Sequence, residues 1–75
     1  MQLNALVMVS GSGVVKEFDE SVGLGVITSS DGKDLPFHCT MISDGTRTIE
    51  IGRPVCFRVF AAVKGRVEAI EVGKL

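Results

Sequence analysis

The residues able to do chemistry in this chain are few and widely spaced. There is one histidine, His38, with Cys39 beside it, and a second cysteine, Cys56. Neighbouring residues of a strand point to opposite faces, so His38 and Cys39 cannot share a proton as base and nucleophile. One His and two distant Cys give no zinc-ligand spacing. Asp19 and Glu20 are adjacent carboxylates, but acid–base catalysis needs groups converging on a cleft, and no residue is placed opposite them; they read as turn residues. Gly23-Leu24-Gly25 lacks the third glycine, the Lys-Ser/Thr ending and the following helix of a phosphate loop. The expectation is a chain that is not an enzyme and carries no metal and no cofactor.

The elements that must position these residues are short strands. Glycines at 11, 13, 23, 25, 32, 45, 52, 65 and 73 punctuate runs rich in Val, Ile and Phe, and no helical period competes. The runs predict strands at Val14–Asp19, Leu24–Ser29, Leu35–Cys39, Pro54–Ala62 and Arg66–Val72. Ser30-Asp31-Gly32-Lys33 predicts a hairpin between the second and third, and Lys64-Gly65 one between the fourth and fifth. The span Thr40–Gly52 is too long for a hairpin, has its own Asp44-Gly45 turn, and should carry the chain from one edge of a barrel to the other. Pro36, which cannot donate a backbone hydrogen bond, puts the third strand at an edge or makes it locally irregular. Alternation turns Leu35, Phe37 and Cys39 inward, and Val55, Phe57 and Val59 likewise. Glycines alternating with apolar residues at 23–25 allow the tight coiling that a small barrel needs.

The chain has 75 residues, room for one domain, and is 45% hydrophobic and 23% charged, enough to bury a core. Its formal net charge of −1 supplies no general attraction for a polyanion. The aromatic inventory is four Phe with no Trp and no Tyr. Both cysteines read as small core residues of a reducing, cytoplasmic compartment. The apolar stretch at Ala5–Val9 has no basic start and is too short for a membrane span, so no membrane role is expected.

The stretches Gly13-Val14-Val15-Lys16-Glu17-Phe18-Asp19, Val22-Gly23-Leu24-Gly25-Val26-Ile27 and Leu35-Pro36-Phe37-His38-Cys39 together resemble the cold-shock domain. Ile49–Phe57 resembles that family's passage into strand four, and Glu68–Val72 its last strand. The resemblance implies an all-β fold: a small five-stranded antiparallel Greek-key barrel of OB type over residues 13–75. Residues 1–12 form an N-terminal extension, either flexible or packed on the barrel.

The resemblance also implies a face that binds single-stranded RNA or DNA, but several of its stacking residues are replaced. Glu17 stands where the family has an exposed Trp, and Leu24, Val26, Pro36 and Cys39 where it has Phe. Val22 replaces a basic residue, and no aromatic lies near Thr46 and Arg47. Each stacked base is worth roughly 1–3 kcal/mol, so these losses remove on the order of 5–10 kcal/mol, comparable with a whole micromolar affinity of about 8 kcal/mol. What remains of the family's surface is Lys16 for a phosphate, Phe18 for stacking and His38 for a base, with Arg58 and Arg66 as peripheral charges. The function expected is weak or context-dependent nucleic-acid binding. The alternative is a protein-interaction or self-associating domain whose apolar face, Leu24, Val26 and Pro36, meets a protein partner or forms a homodimer.

Overall fold

In the computed structural model, residues 8–61 and 67–75 are described. Five strands form one antiparallel sheet: β1 (Met8–Asp19), β2 (Leu24–Ser29), β3 (Asp34–His38), β4 (Pro54–Ala61) and β5 (Val67–Lys74), in the order β3-β2-β1-β4-β5. The sheet curls until β3 approaches β5, and an Ile42–Val72 bridge with Ser43 N–H donating to the Val72 carbonyl at 2.8 Å ties the two sides. This is the expected all-β OB-type barrel.

Two bulges supply the curvature. In β1 the register shifts between Val15 and Glu17, so Lys16 is extra and both Lys16 and Glu17 are exposed. In β5 Glu71 takes a positive φ of 50° where the register with β4 shifts between Cys56 and Arg58. The inward residues form one core: Val15, Ile27, Leu35, Phe37, Cys39, Ile42, Ile49, Val55, Phe57, Ala69 and Val72. Glycine is required where strands approach closely. A Cβ at Gly25 would sit 2.5 Å from the Phe37 ring, and one at Gly13 only 2.2 Å from the Thr28 carbonyl oxygen.

The β2–β3 hairpin forms as predicted, with Gly32 at φ +89° and Ser29 N–H donating to Lys33 O at 2.8 Å. β3 lies at one end of the strand order with Pro36 exposed, as a strand containing proline should. The chain then passes from β3 to β4 through a short 3₁₀ turn, Cys39–Met41, and the Asp44-Gly45 turn. The predicted Lys64-Gly65 turn and Arg66 lie outside the described residues.

Three expectations need correction. Cys56 is exposed and so is no core residue: Val55 and Phe57 point inward, and alternation turns the thiol between them outward. β1 begins at Met8, not Val14, because Met8–Val14 pairs with Pro54–Phe60 of β4. Cys39, expected to end the third strand, is buried but opens the 3₁₀ turn.

Candidate nucleic-acid interface

The outward face of β1, β2 and β3 is built in rows set by the strand register. Glu17 lies opposite Val26, which lies opposite Pro36; Asp19 lies opposite Leu24, which lies opposite His38. The rows enclose a shallow groove whose apolar lining is Phe18, Val22, Leu24, Val26, Pro36 and Ile51. Val22, Leu24 and Ile51 are 56%, 54% and 66% exposed, a concentration of solvent-facing aliphatic surface that a small domain would otherwise bury. Glu17 and Asp19 line the same groove, giving it an acidic side.

Lys16 is raised onto this face by the β1 bulge. Its ammonium lies 2.7 Å from Asp34 Oδ2, while Thr28 Oγ1 donates to the other carboxylate oxygen at 3.0 Å. The hydrogen bond and charge of Asp34 raise the pKa of Lys16, and the same bond, with that from Thr28, holds the Asp34 carboxyl below its usual range. Lys16 is thus fully charged but already paired.

Phe18 differs from the picture of a free stacking platform. It pairs in register with Gly25, packs against the core, and stacks on Phe37 with ring centroids 6.0 Å apart and planes inclined by 15°. The space left by Gly25 admits this pair, so only part of Phe18 faces the groove.

His38 is exposed at the end of β3. Its Nδ1 accepts the Thr40 N–H at 3.2 Å, which places the proton of the neutral ring on Nε2 and leaves that atom as a donor. The turn beside it is fixed by Gly23, at φ +71°, whose carbonyl accepts the Cys39 N–H at 2.8 Å.

The structure therefore brings Phe18, Leu24, Val26 and Pro36 into one groove, with His38 in register beside Leu24 and Lys16 at the β1 bulge next to Glu17. It does not bring Arg58 there. That side chain lies on β4, opposite Ser10 of β1 and Ile70 of β5, and pairs with Glu71 at 3.6 Å. Sequence reasoning missed Ile51 as a groove residue. The signal was the Ile49-Glu50-Ile51 alternation, which buries Ile49 and turns Ile51 out just before Gly52. Among the described residues no group of His, Cys, Asp and Glu is arranged to hold a metal ion, and no helix is long and apolar enough to cross a membrane.

The 'Cold-shock' DNA-binding domain matches residues 11–75. The chain belongs to the cold-shock DNA-binding domain family. It is 43% identical over 47 residues to cold shock protein 1 of Lactiplantibacillus plantarum, a match covering 61% of this chain and 71% of that protein. Its fold is similar to that of Drosophila Unr CSD456, with a TM-score of 0.74 at 28% identity. That likeness covers 89% of this chain but only 27% of the Drosophila structure, so this cold-shock domain spans about a quarter of that longer chain. As a cold-shock domain it is a nucleic-acid-binding module by family.

Proposed function

We propose that this domain binds single-stranded RNA or DNA weakly, across the β1–β2–β3 face. The observation that carries the reading is that the exposed apolar groove lies on β1, β2 and β3, whose sequences resemble the cold-shock domain. Leu24, Val26, Pro36 and Ile51 give bases an apolar contact but no flat polarizable surface, so each contributes less than an aromatic platform would. The exposed part of Phe18 supplies the one aromatic contact. His38 Nε2 donates to a base edge, and Lys16 exchanges Asp34 for a phosphate. The exchange is nearly neutral for an exposed ion pair, which limits what Lys16 adds. The chemistry is binding without bond making, and the compartment is the cytoplasm.

The test is a titration of labelled mixed-sequence single-stranded RNA and DNA at low and physiological salt, beside Phe18→Ala and His38→Ala. Saturable binding that weakens with salt and is reduced in both variants supports the reading. Absence of binding at low salt with the barrel intact by circular dichroism removes it.

A second reading is favoured by one observation, the aliphatic floor with Glu17 and Asp19 on its side. Such a surface suits a protein partner bearing apolar and basic residues better than a polyanion. It predicts association with protein that competes with, or replaces, oligonucleotide binding.

A further inference from the structure

A second apolar depression lies at the turn end of the β2–β3 hairpin and shares no lining residue with the groove. Its apolar walls are Leu35, Phe57, Val59 and Val67, the hairpin residues Ser29 to Asp31, Lys33 and Asp34 form a polar rim, and along one side runs the first part of β1, Ser10-Gly11-Ser12. Phe57 and Leu35 are buried, Val59 is half-buried and Val67 is 38% exposed.

The depression borders a strand edge with no partner among the described residues. Val15 exchanges hydrogen bonds on the β4 side, its N–H donating to Arg53 O at 3.0 Å and its carbonyl accepting from Gly52 at 2.7 Å. Ser12 faces the other way, its carbonyl accepting the Ser30 N–H at 2.8 Å. By strand alternation Ser10 faces the same side as Ser12. β2 has ended at Ser29, so nothing among the described strands continues alongside Ser10. The segment carries no Lys, no Pro and no charge of its own, the usual protections of an exposed edge.

We propose that a second copy of this chain covers this edge, adding its residues 3–7 as an antiparallel strand beside the start of β1. The register follows from parity. Along β1 the odd positions face inward, since Gly11 lies opposite Phe57, Gly13 opposite Val55 and Val15 opposite Ile27. A strand docked with odd opposite odd lays Leu3, Ala5 and Val7 of the second copy over Leu35, Phe57, Val59 and Val67, with Gln2 and Asn4 turned to solvent. The contact is reciprocal about a two-fold axis, so both edges are used. The same segment folded back within one chain does not achieve this. A two-residue hairpin opposes odd to even positions and turns Leu3 and Ala5 outward, while a longer turn consumes Ala5 to Val7 and leaves Leu3 alone over the depression.

The test is sedimentation of the full chain over a range of concentrations, without nucleic acid, beside Ser10→Pro, Val67→Lys and a variant lacking residues 1–7. Ser10→Pro removes the N–H aimed at the free edge, and Val67→Lys places a charge in the depression; both sites are solvent-facing, and circular dichroism checks the fold. The expected result is a reversible dimer, weakened about tenfold or more by each substitution and lost on truncation. A chain that stays monomeric, or a dimer indifferent to all three changes, overturns the proposal. So does a monomer in which amides of residues 3–7 are protected from exchange. Oligonucleotide binding at the groove is measured separately, and its loss or retention leaves this outcome unaffected.

Discussion

Inward from β1, β2 and β3 lie Val15, Ile27, Leu35 and Phe37; outward from the same strands lie Glu17, Leu24, Val26, Pro36 and His38. The inward set is fixed by geometry that tolerates little change, since Phe37 fills the space above Gly25 and Gly13 rides against the β2 backbone. The outward set is under no such constraint, because each side chain there borders solvent. The barrel can therefore be retained while the face that it presents is rebuilt from aromatic to aliphatic. Fold and site are separable on a sheet with one buried face.

The sharpest way to break this comparison is to damage the inward side. Phe37→Ala removes a fully buried ring and its stacking on Phe18, with an expected loss of about 3–5 kcal/mol. Stability for a chain this size totals only about 4–11 kcal/mol, so the variant should be largely unfolded or close to it in urea titrations. Gly13→Ala should follow, at or above the upper end of the roughly 1–3 kcal/mol typical of overpacking, because the clashing atom is a backbone oxygen that cannot rotate away. A Gly13→Ala protein of unchanged stability would mean that the approach of β1 to β2 is looser than the register implies.

The outward side should respond in the opposite sense. Leu24→Phe and Val26→Phe, in register with His38 and Pro36, restore two platforms on the groove face. Each is expected to tighten single-stranded oligonucleotide binding by about 1–3 kcal/mol, with the urea midpoint nearly unchanged. If affinity does not rise in the double variant, the acidic side of the groove, not the missing rings, limits binding; Glu17→Gln would then be the change that restores it.

The same contrast explains what could be read from the chain. Turn glycines and alternating apolar residues obey local rules, so the five strands, the β2–β3 hairpin, the edge position of Pro36 and the inward Phe37 and Phe57 were all legible. The early start of β1 was not, because Ser10, Gly11 and Ser12 carry no strand propensity, and their pairing with Arg58, Phe57 and Cys56 is decided by β4. Ile51 was missed since nothing local says that a loop residue will complete a groove formed by distant strands. Phe18 was legible as an aromatic on the right strand, but its stacking on Phe37 depends on Gly25 of the neighbouring strand.

Lys16 tests the outward face more gently. Its replacement by Ala should leave stability nearly unaltered, since exposed ion pairs contribute little. If it reaches a phosphate, the slope of log affinity against log salt should become shallower by about 0.7, the value of one phosphate contact on a single strand. An unchanged slope with unchanged affinity would show that Lys16 stays with Asp34 in the complex, and that the groove binds bases without help from the bulge.

The smallest expected effect concerns the passage from β3 to β4, which carries no groove residue before Ile51. Asp44 accepts the Thr46 hydroxyl at 2.6 Å and the Thr46 N–H at 2.9 Å, and pairs with Lys74 at 3.1 Å. These hydrogen bonds, with the Lys74 ammonium behind them, lower its pKa to about 2 from an ordinary 3.8. A carboxyl depressed in the folded state stabilises it above the unfolded value, and that contribution fades as pH falls from about 4 towards 2. Asp19, Asp31 and Asp34 are displaced the same way, so acid should loosen several turns together. Asp44→Asn keeps the acceptor for Thr46 but not the charge, and should flatten part of the stability decline over this pH window while leaving oligonucleotide affinity at neutral pH unchanged. A loss of affinity in that variant would mean that the crossing loop, and not the three strands alone, sets the shape of the groove through Ile51.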